Sequence, residues 1–294
     1  MSGTGPAGLT HGTAEVDGGV RIHHVVAGAA APGGRVVVLV HGYPQSWWCW
    51  RHVVGPLAAA GHRVVAVDLR GAGGSSRPPA GYDTWTLAGD VHAVVRDHLG
   101  ADGPVAVVGH DVGSMVALAH GLRFRGDADQ LVLVEATLPG TAAHERLAAD
   151  PRQGHYAFHA VPDLPEFLTA GREREYLRFF FDGAAADPCA LTPADLDRYA
   201  ADFRQPGAMR AGFELYRAFD RDDRDNRAAL AAGGRLAVPV LAVAGAGNLF
   251  ADAHEAMVRE VADDVRAVTL PGAGHWVPEE EAAGLLGVLL PFLA

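Results

Sequence analysis

Short, uninterrupted apolar runs punctuate the first half of the chain. Arg35–Val40 (RVVVLV), Arg63–Asp68 (RVVAVD), Val105–Val108 and Gln130–Val134 (QLVLV) carry almost no polar alternation. Such runs fit strands buried on both faces of a parallel sheet. Val20–Val26 reads as an earlier strand, closed by the turn-rich Gly28–Gly34. Between the runs the apolar spacing changes to the helical period. Thr84–Leu99 is predicted as a helix with Thr84 as N-cap and Gly100 as the stop, and Ser114–Phe124 as another. Strands alternating with helices predict an α/β protein with a mostly parallel central sheet. Residues 1–19 are small and polar and are expected to fray.

The pattern changes after Pro139. From there to Arg227 no strand-like run occurs. Amphipathic stretches rich in Arg, Asp, Phe and Tyr replace them, among them EFLTAGREREYLRFFF and PGAMRAGFELYRAF. Thr192-Pro193 has the form of an N-cap followed by Pro at the first helical position. This segment reads as an inserted all-helical unit, with the charged RDDRDNR as a solvated connector back to the core. Leu236–Val243 returns to the strand type, Asp252–Ala262 is helix-like, and Arg266–Leu270 is the last strand. The expected organisation is a core of residues 1–138 and 228–294 interrupted by a helical unit of residues 139–227.

Composition narrows the chemistry. The 24 basic residues are all Arg, which excludes Schiff-base catalysis, pyridoxal phosphate attachment and a P-loop lysine. A net charge of −11 argues against nucleic acid as a partner, because binding phosphates requires clustered positive charge. Two cysteines allow no disulfide framework. The first residues have neither the basic nor the apolar region of a signal peptide, and no apolar run is long enough to span a membrane. A cytoplasmic protein without a membrane partner is expected.

The strongest chemical signal is Gly109-His110-Asp111-Val112-Gly113, lying between a strand and a helix. Small residues on both sides permit a tight turn that lifts the central side chain over the carboxyl edge of the sheet. This is the form of the G-x-S-x-G nucleophile elbow, with Asp in place of Ser. A carboxylate there can attack an sp³ carbon and become an ester. His41-Gly42-Tyr43-Pro44 follows a buried strand and can aim the Tyr43 amide at the elbow. With the Val112 amide it would form an oxyanion hole, and the two donors would keep Asp111 ionised at neutral pH. His275, after the last strand, is the candidate base. Such a base needs an acid to hold its tautomer. Glu135 and Asp252 compete for that role, and Asn248 stands where an acid would be sought. Glu135, 24 residues beyond Asp111 at the end of the neighbouring strand, is the better placed. His41, His110 and Asp68 read as structural, and Cys49 as a buried, inert thiol. His155 and His159 have the spacing of a helical metal pair but lack a third ligand.

Together HGYPQSWWCWR (41–51), DLRGAGGSSRP (68–78), GHDVGS (109–114), RAGFELYRAF (210–219) and PGAGHWVPEE (271–280) resemble the epoxide hydrolase branch of the α/β-hydrolase superfamily. The likeness covers nearly the whole chain beyond its first twenty residues. Glu135 with Asn248 is similar to the Cif-like bacterial subgroup, whose relay acid is a Glu at this place. The resemblance implies an α/β-hydrolase fold with a helical cap, Asp111 as nucleophile, and Glu135 and His275 as the water-activating pair. It implies two cap donors for the epoxide oxygen, Tyr216 and His155, with Tyr156 and His159 as neighbours that an alignment slip would bring in. It implies no metal or organic cofactor, a small hydrophobic epoxide as substrate, and a homodimer.

Two alternatives remain beside this one. Hydrolytic dehalogenases share the Asp nucleophile. The haloalkane enzymes carry Asn in the HG-x-P loop and Trp after the nucleophile, where this chain has Tyr43 and Val112. The haloacetate enzymes carry Arg after the nucleophile and again three residues on, where this chain has Val112 and Met115. A catalytically silent ligand-binding protein is the alternative of another class. An esterase is disfavoured, because Ser114 is not at the centre of the elbow.

Overall fold

The computed structural model describes residues 8–103, 105–248 and 251–294, apart from the side chain of residue 252. The strands are β1 (Thr10–Val16), β2 (Val20–Ala27), β3 (Val36–Val40), β4 (Arg63–Val67), β5 (Val105–His110), β6 (Ala128–Val134), β7 (Val240–Gly245) and β8 (Val265–Leu270). Among the described residues they form one eight-stranded sheet, in the order β1-β2-β4-β3-β5-β6-β7-β8. β1 and β2 are antiparallel additions at one edge, and the six strands β3 to β8 run parallel. Every residue of β3, β5 and β7 is buried, which explains why these segments carry no polar alternation.

The described α-helices of the first half are α1 (Val54–Ala59), α2 (Thr84–His92), which continues as a π-helix over Ala93–His98, and α3 (Val112–Arg123). Between β6 and β7 lie α4 (Ala142–Ala148), α5 (Gly154–Ala160), α6 (Leu164–Thr169), α7 (Glu173–Ala184), α8 (Pro193–Phe203), α9 (Ala208–Arg217) and α10 (Phe219–Gly233). The chain ends with α11 (Ala251–Val261), α12 (Val277–Glu280) and α13 (Ala282–Leu293). α8 opens with a full capping box, Thr192 and Asp195 bonding each other's main chain. Among the described residues no helix is long and apolar enough to cross a membrane.

Several expectations need correction. The N-terminal stretch does not fray throughout: β1 pairs with β2 over its whole length and buries Ala14 and Val16. The cap of α2 is Asp83, whose carboxylate accepts from the Thr86 amide. The Thr84 hydroxyl is engaged elsewhere, donating to Asp222. RDDRDNR is not a solvated connector but part of α10, which runs on to Gly233. Asp222 and Asn226 are buried there, against Thr84, Trp85 and the Pro139 carbonyl. The expected boundary at residue 227 therefore falls inside a helix. The stretch from Leu236 enters the sheet only at Val240; Leu236 itself makes an isolated bridge to Ala262.

A buried ionic cluster joins the helical insertion to the core. Arg51 pairs with Glu279 on α12 and, at 3.2 Å, with Asp195 on α8. The Tyr199 hydroxyl donates to Glu279 at 3.1 Å, and the Trp48 indole donates to Asp195 at 3.0 Å. Removing one member of such a cluster strands the other charges away from water. Arg51→Met is therefore expected to cost about 3–5 kcal/mol of stability. Urea unfolding monitored by tryptophan fluorescence measures this; a loss below about 1 kcal/mol would contradict the role given to the cluster.

Candidate active site

The carboxyl ends of the central strands finish level with one another. Val40 pairs with Gly109, His110 with Val134, and Val134 with Val243. The residues that follow these ends therefore meet over one edge of the sheet, where open α/β sheets place their ligands. Asp111 follows β5 at φ 54° and Glu135 follows β6 at φ 49°. Both are left-handed positions that cost a non-glycine residue about 1–3 kcal/mol, strain typical of functional sites. The glycines around Asp111 are dictated by space. A Cβ on Gly109 would sit 2.1 Å from the Gly113 carbonyl oxygen, and one on Gly113 would sit 2.1 Å from that of Val40. Ser114, fully buried, bonds the Gly109 and Val134 carbonyls and stitches β5 to β6.

Asp111 lies against three groups foreseen from the sequence. Its Oδ2 accepts the Tyr43 amide at 2.8 Å, and the neighbouring Val112 amide also favours the charged carboxylate. Its Oδ1 is 3.7 Å from His275 Nε2. Burial raises the Asp111 pKa above the usual carboxylate value, against the opposing pull of His275 and the two amides. The two donors therefore temper the cost of burial without reversing it. His275 Nδ1 is 3.3 Å from Glu135 Oε2. Burial lowers the His275 pKa, but the bond to Glu135 and the charge of Asp111 outweigh it, and the net shift is upward.

Glu135 is completely buried. Its Oε1 accepts the Gly245 amide at 2.5 Å and its Oε2 accepts the Asn248 side chain. Asn248 Nδ2 also lies 3.2 Å from His275 Nδ1, so it sits beside the imidazole while it donates to the acid. The position that looked like a missing acid is thus occupied by a group that orients one. The competing Asp252 has a side chain outside the described residues. His110 Nε2 donates to the His275 carbonyl at 2.8 Å and fixes the backbone of the histidine loop. His41 accepts the Leu69 amide and Asp68 accepts the Trp47 and Gly74 amides, so both support loops as expected. Cys49 is buried.

Above this edge is a cavity of about 390 Å³, lined by Asp111 and His275 below and by residues of α5, α7 and α9 above. Tyr216 and His155 both line it, their ring centroids 5.7 Å apart. Burial and the nearby Asp111 charge push the Tyr216 hydroxyl well above its ordinary pKa, so it keeps its proton. Burial, with a smaller contribution from His275, lowers His155 to about 4, so it is a neutral imidazole near pH 7. Of the two alternatives, Tyr156 lines the cavity and bonds Thr137 at 3.3 Å. His159 does not line it; its Nε2 meets the Tyr176 hydroxyl at 2.5 Å, behind Tyr216. The Tyr176 partnership escaped the sequence reading, because only folding brings α5 and α7 together. No third metal ligand joins His155 and His159 among the described residues.

A sheet-edge carboxylate between two amides, an imidazole backed by a buried acid, and a roof of helices together define a hydrolase. The profile of the alpha/beta hydrolase fold matches residues 35–282, and the chain belongs to that family. It is 34% identical to the soluble epoxide hydrolase of Corynebacterium sp. (strain C12), over 97% of this chain and 98% of that one. Among solved structures it is similar to Cfl2 from Burkholderia cenocepacia, with a TM-score of 0.89 and 38% identity over 98% of this chain and 96% of that one. The Cif epoxide hydrolase from Acinetobacter nosocomialis gives a TM-score of 0.87 and 25% identity over 98% of this chain and 90% of that one.

Proposed function

We propose that this enzyme hydrolyses a small hydrophobic epoxide to a vicinal diol through a covalent ester on Asp111. The observation that carries this reading is the pair of neutral donors, Tyr216 and His155, in the same cavity as the Asp111 carboxylate. An epoxide needs both together: a nucleophile at carbon and a proton source at the departing oxygen. The relatives named epoxide hydrolases supply the same substrate class.

The first half-reaction joins Asp111 to one ring carbon. The C–O bond breaks, its electron pair becomes an alkoxide, and a proton from Tyr216 or His155 neutralises it. Oδ1 is the attacking atom, since Oδ2 is held by the Tyr43 amide. In the second half-reaction His275 takes a proton from water, and the hydroxide adds to the ester carbonyl. The Tyr43 and Val112 amides receive the charge that develops on that oxygen. The tetrahedral intermediate collapses by breaking its bond to the substrate oxygen, which takes the proton held by His275 and leaves as the diol; the Asp111 carboxyl then returns a proton to the donor that protonated the alkoxide and is a carboxylate again. Glu135, held by Gly245 and Asn248, keeps the His275 Nε2 free to accept the proton and stabilises the imidazolium. The helices α5, α7 and α9 act as the cap that closes the site.

Two expected results follow. Tyr216→Phe lowers the rate of ester formation by roughly 10²–10³-fold, measured in single-turnover kinetics. A fall of less than about threefold would remove Tyr216 from the reaction. The pH profile carries the second. His275 must be neutral to accept a proton, and its pKa lies above the ordinary 6.5. In the ester the Asp111 charge is gone and Glu135 is the group that raises the His275 pKa, so ester hydrolysis is full above the pKa of that state and declines as pH drops through it. Glu135→Gln removes a group that raises the pKa, so the acid limb moves to lower pH while the plateau falls. An unmoved limb would contradict the pairing of Glu135 with His275.

The overall reading is tested by product. The enzyme is offered a panel of epoxides, haloalkanes and halogenated acids. Diol formation without halide release is expected; halide release without diol formation assigns the Asp nucleophile to a dehalogenase instead.

A further inference from the structure

Away from the cavity, three side chains converge where α2 passes into its π-helical continuation and α3 ends. His92 is the last residue of α2, His120 lies in the last turns of α3, and Asp127 immediately precedes β6. His92 Nδ1 is 3.4 Å from Asp127 Oδ2, and His120 Nε2 is 3.3 Å from the same oxygen. All three atoms lie within 4.8 Å of one another. His92 Nδ1 and Asp127 Oδ2 are buried and have no hydrogen bond of good geometry. An ordinary histidine–aspartate pair closes to about 2.7–2.9 Å with the proton aligned. Here two nitrogens stand off one oxygen at equal range, and that spacing has another explanation. Bonds of ~2.0–2.1 Å at tetrahedral angles around zinc place neighbouring donor atoms ~3.3–3.4 Å apart.

The geometry points to a structural binding site for a nitrogen-seeking divalent cation of the zinc class, held by His92 Nδ1, His120 Nε2 and Asp127 Oδ2. Two imidazoles and one carboxylate suit zinc, cobalt or nickel, whereas calcium and magnesium prefer all-oxygen sets. Three protein donors leave a fourth position for water. The donors are fixed in advance by their surroundings. The His92 ring stacks on Phe124 at 4.0 Å and 9°. Arg96 binds the other carboxylate oxygen, Oδ1, at 2.7 Å and the Asp127 carbonyl at 2.9 Å, which leaves Oδ2 to the ion. His120 is almost fully buried, so its ring is held in place. Partial exposure of His92 and Asp127 gives an ion a way in. None of the three lines the reactive cavity, so the ion takes no part in the chemistry there. It would instead staple α2, α3 and the start of β6 together.

The test uses the full chain, stripped with a chelator and then titrated with zinc. Bound metal is counted after dialysis and the unfolding midpoint is recorded. The wild type should retain one equivalent and gain roughly 5 °C in Tm at saturating zinc. His92→Gln replaces a partly exposed ligand and should leave the stripped Tm within about 2 °C while abolishing both the bound equivalent and the zinc-dependent rise. Asp127→Asn should abolish the same equivalent. Failure of the wild type to retain zinc overturns the site. So does an undiminished equivalent in both variants, which would place the metal on other histidines.

Discussion

Asp111→Asn is expected to lower turnover by roughly 10⁴-fold or more, with no covalent intermediate at any time. The amide cannot displace an epoxide oxygen from carbon, and no other carboxylate in the cavity stands between the Tyr43 and Val112 amides. Stability should move the other way. Burial raises the Asp111 pKa, so at neutral pH its charge is held at a cost to the folded state. A neutral Asn of the same shape can still accept the Tyr43 amide. The Tm should therefore be unchanged or higher, as for other sites where function is bought with stability. A large loss of activity accompanied by a large loss of Tm would point to misfolding of the elbow and would not support a nucleophile.

His275→Gln is expected to separate the two half-reactions. Ester formation needs Asp111 and the donors on α5 and α9, and it does not need the imidazole as a base. The variant should therefore consume about one equivalent of epoxide and then stop. Steady-state turnover should fall by roughly 10³–10⁴-fold, while the single-turnover rate of ester formation falls far less. Gln at this position loses the basic nitrogen 3.7 Å from Asp111, and nothing else described at that edge replaces it. Equal loss in both half-reactions would mean that His275 chiefly shapes the cavity.

The parts of the molecule that can be read from sequence are those where neighbours in the chain share one environment. The central strands are buried on both faces, so their apolar runs are unbroken. The Asp111 elbow is legible because Gly109 answers a contact with Gly113 within five residues, although Gly113 itself makes room for Val40. Glu135 is legible as a polar residue ending a buried strand. β1 is not legible, because its small and polar residues alternate weakly and half of them face solvent. α10 is misread because its charges suggest water, whereas Asp222 and Asn226 turn inward to partners more than eighty residues away. The same holds for Asn248. Its identity suggests the absence of an acid, and only the approach of β6 to the loop after β7 makes it the brace of Glu135. The Arg51 cluster joins residues 228 apart and carries no local signature.

The central claim is a covalent bond between Asp111 and a whole epoxide. It is tested most directly by the intact mass of His275→Gln after incubation with an epoxide that the wild type converts. The expected result is a gain equal to the complete epoxide mass, located on the peptide containing Asp111 and absent from the His275→Gln/Asp111→Asn double variant. An unchanged mass, with the variant still forming diol slowly, would contradict the covalent route and leave direct attack of water on the epoxide in its place.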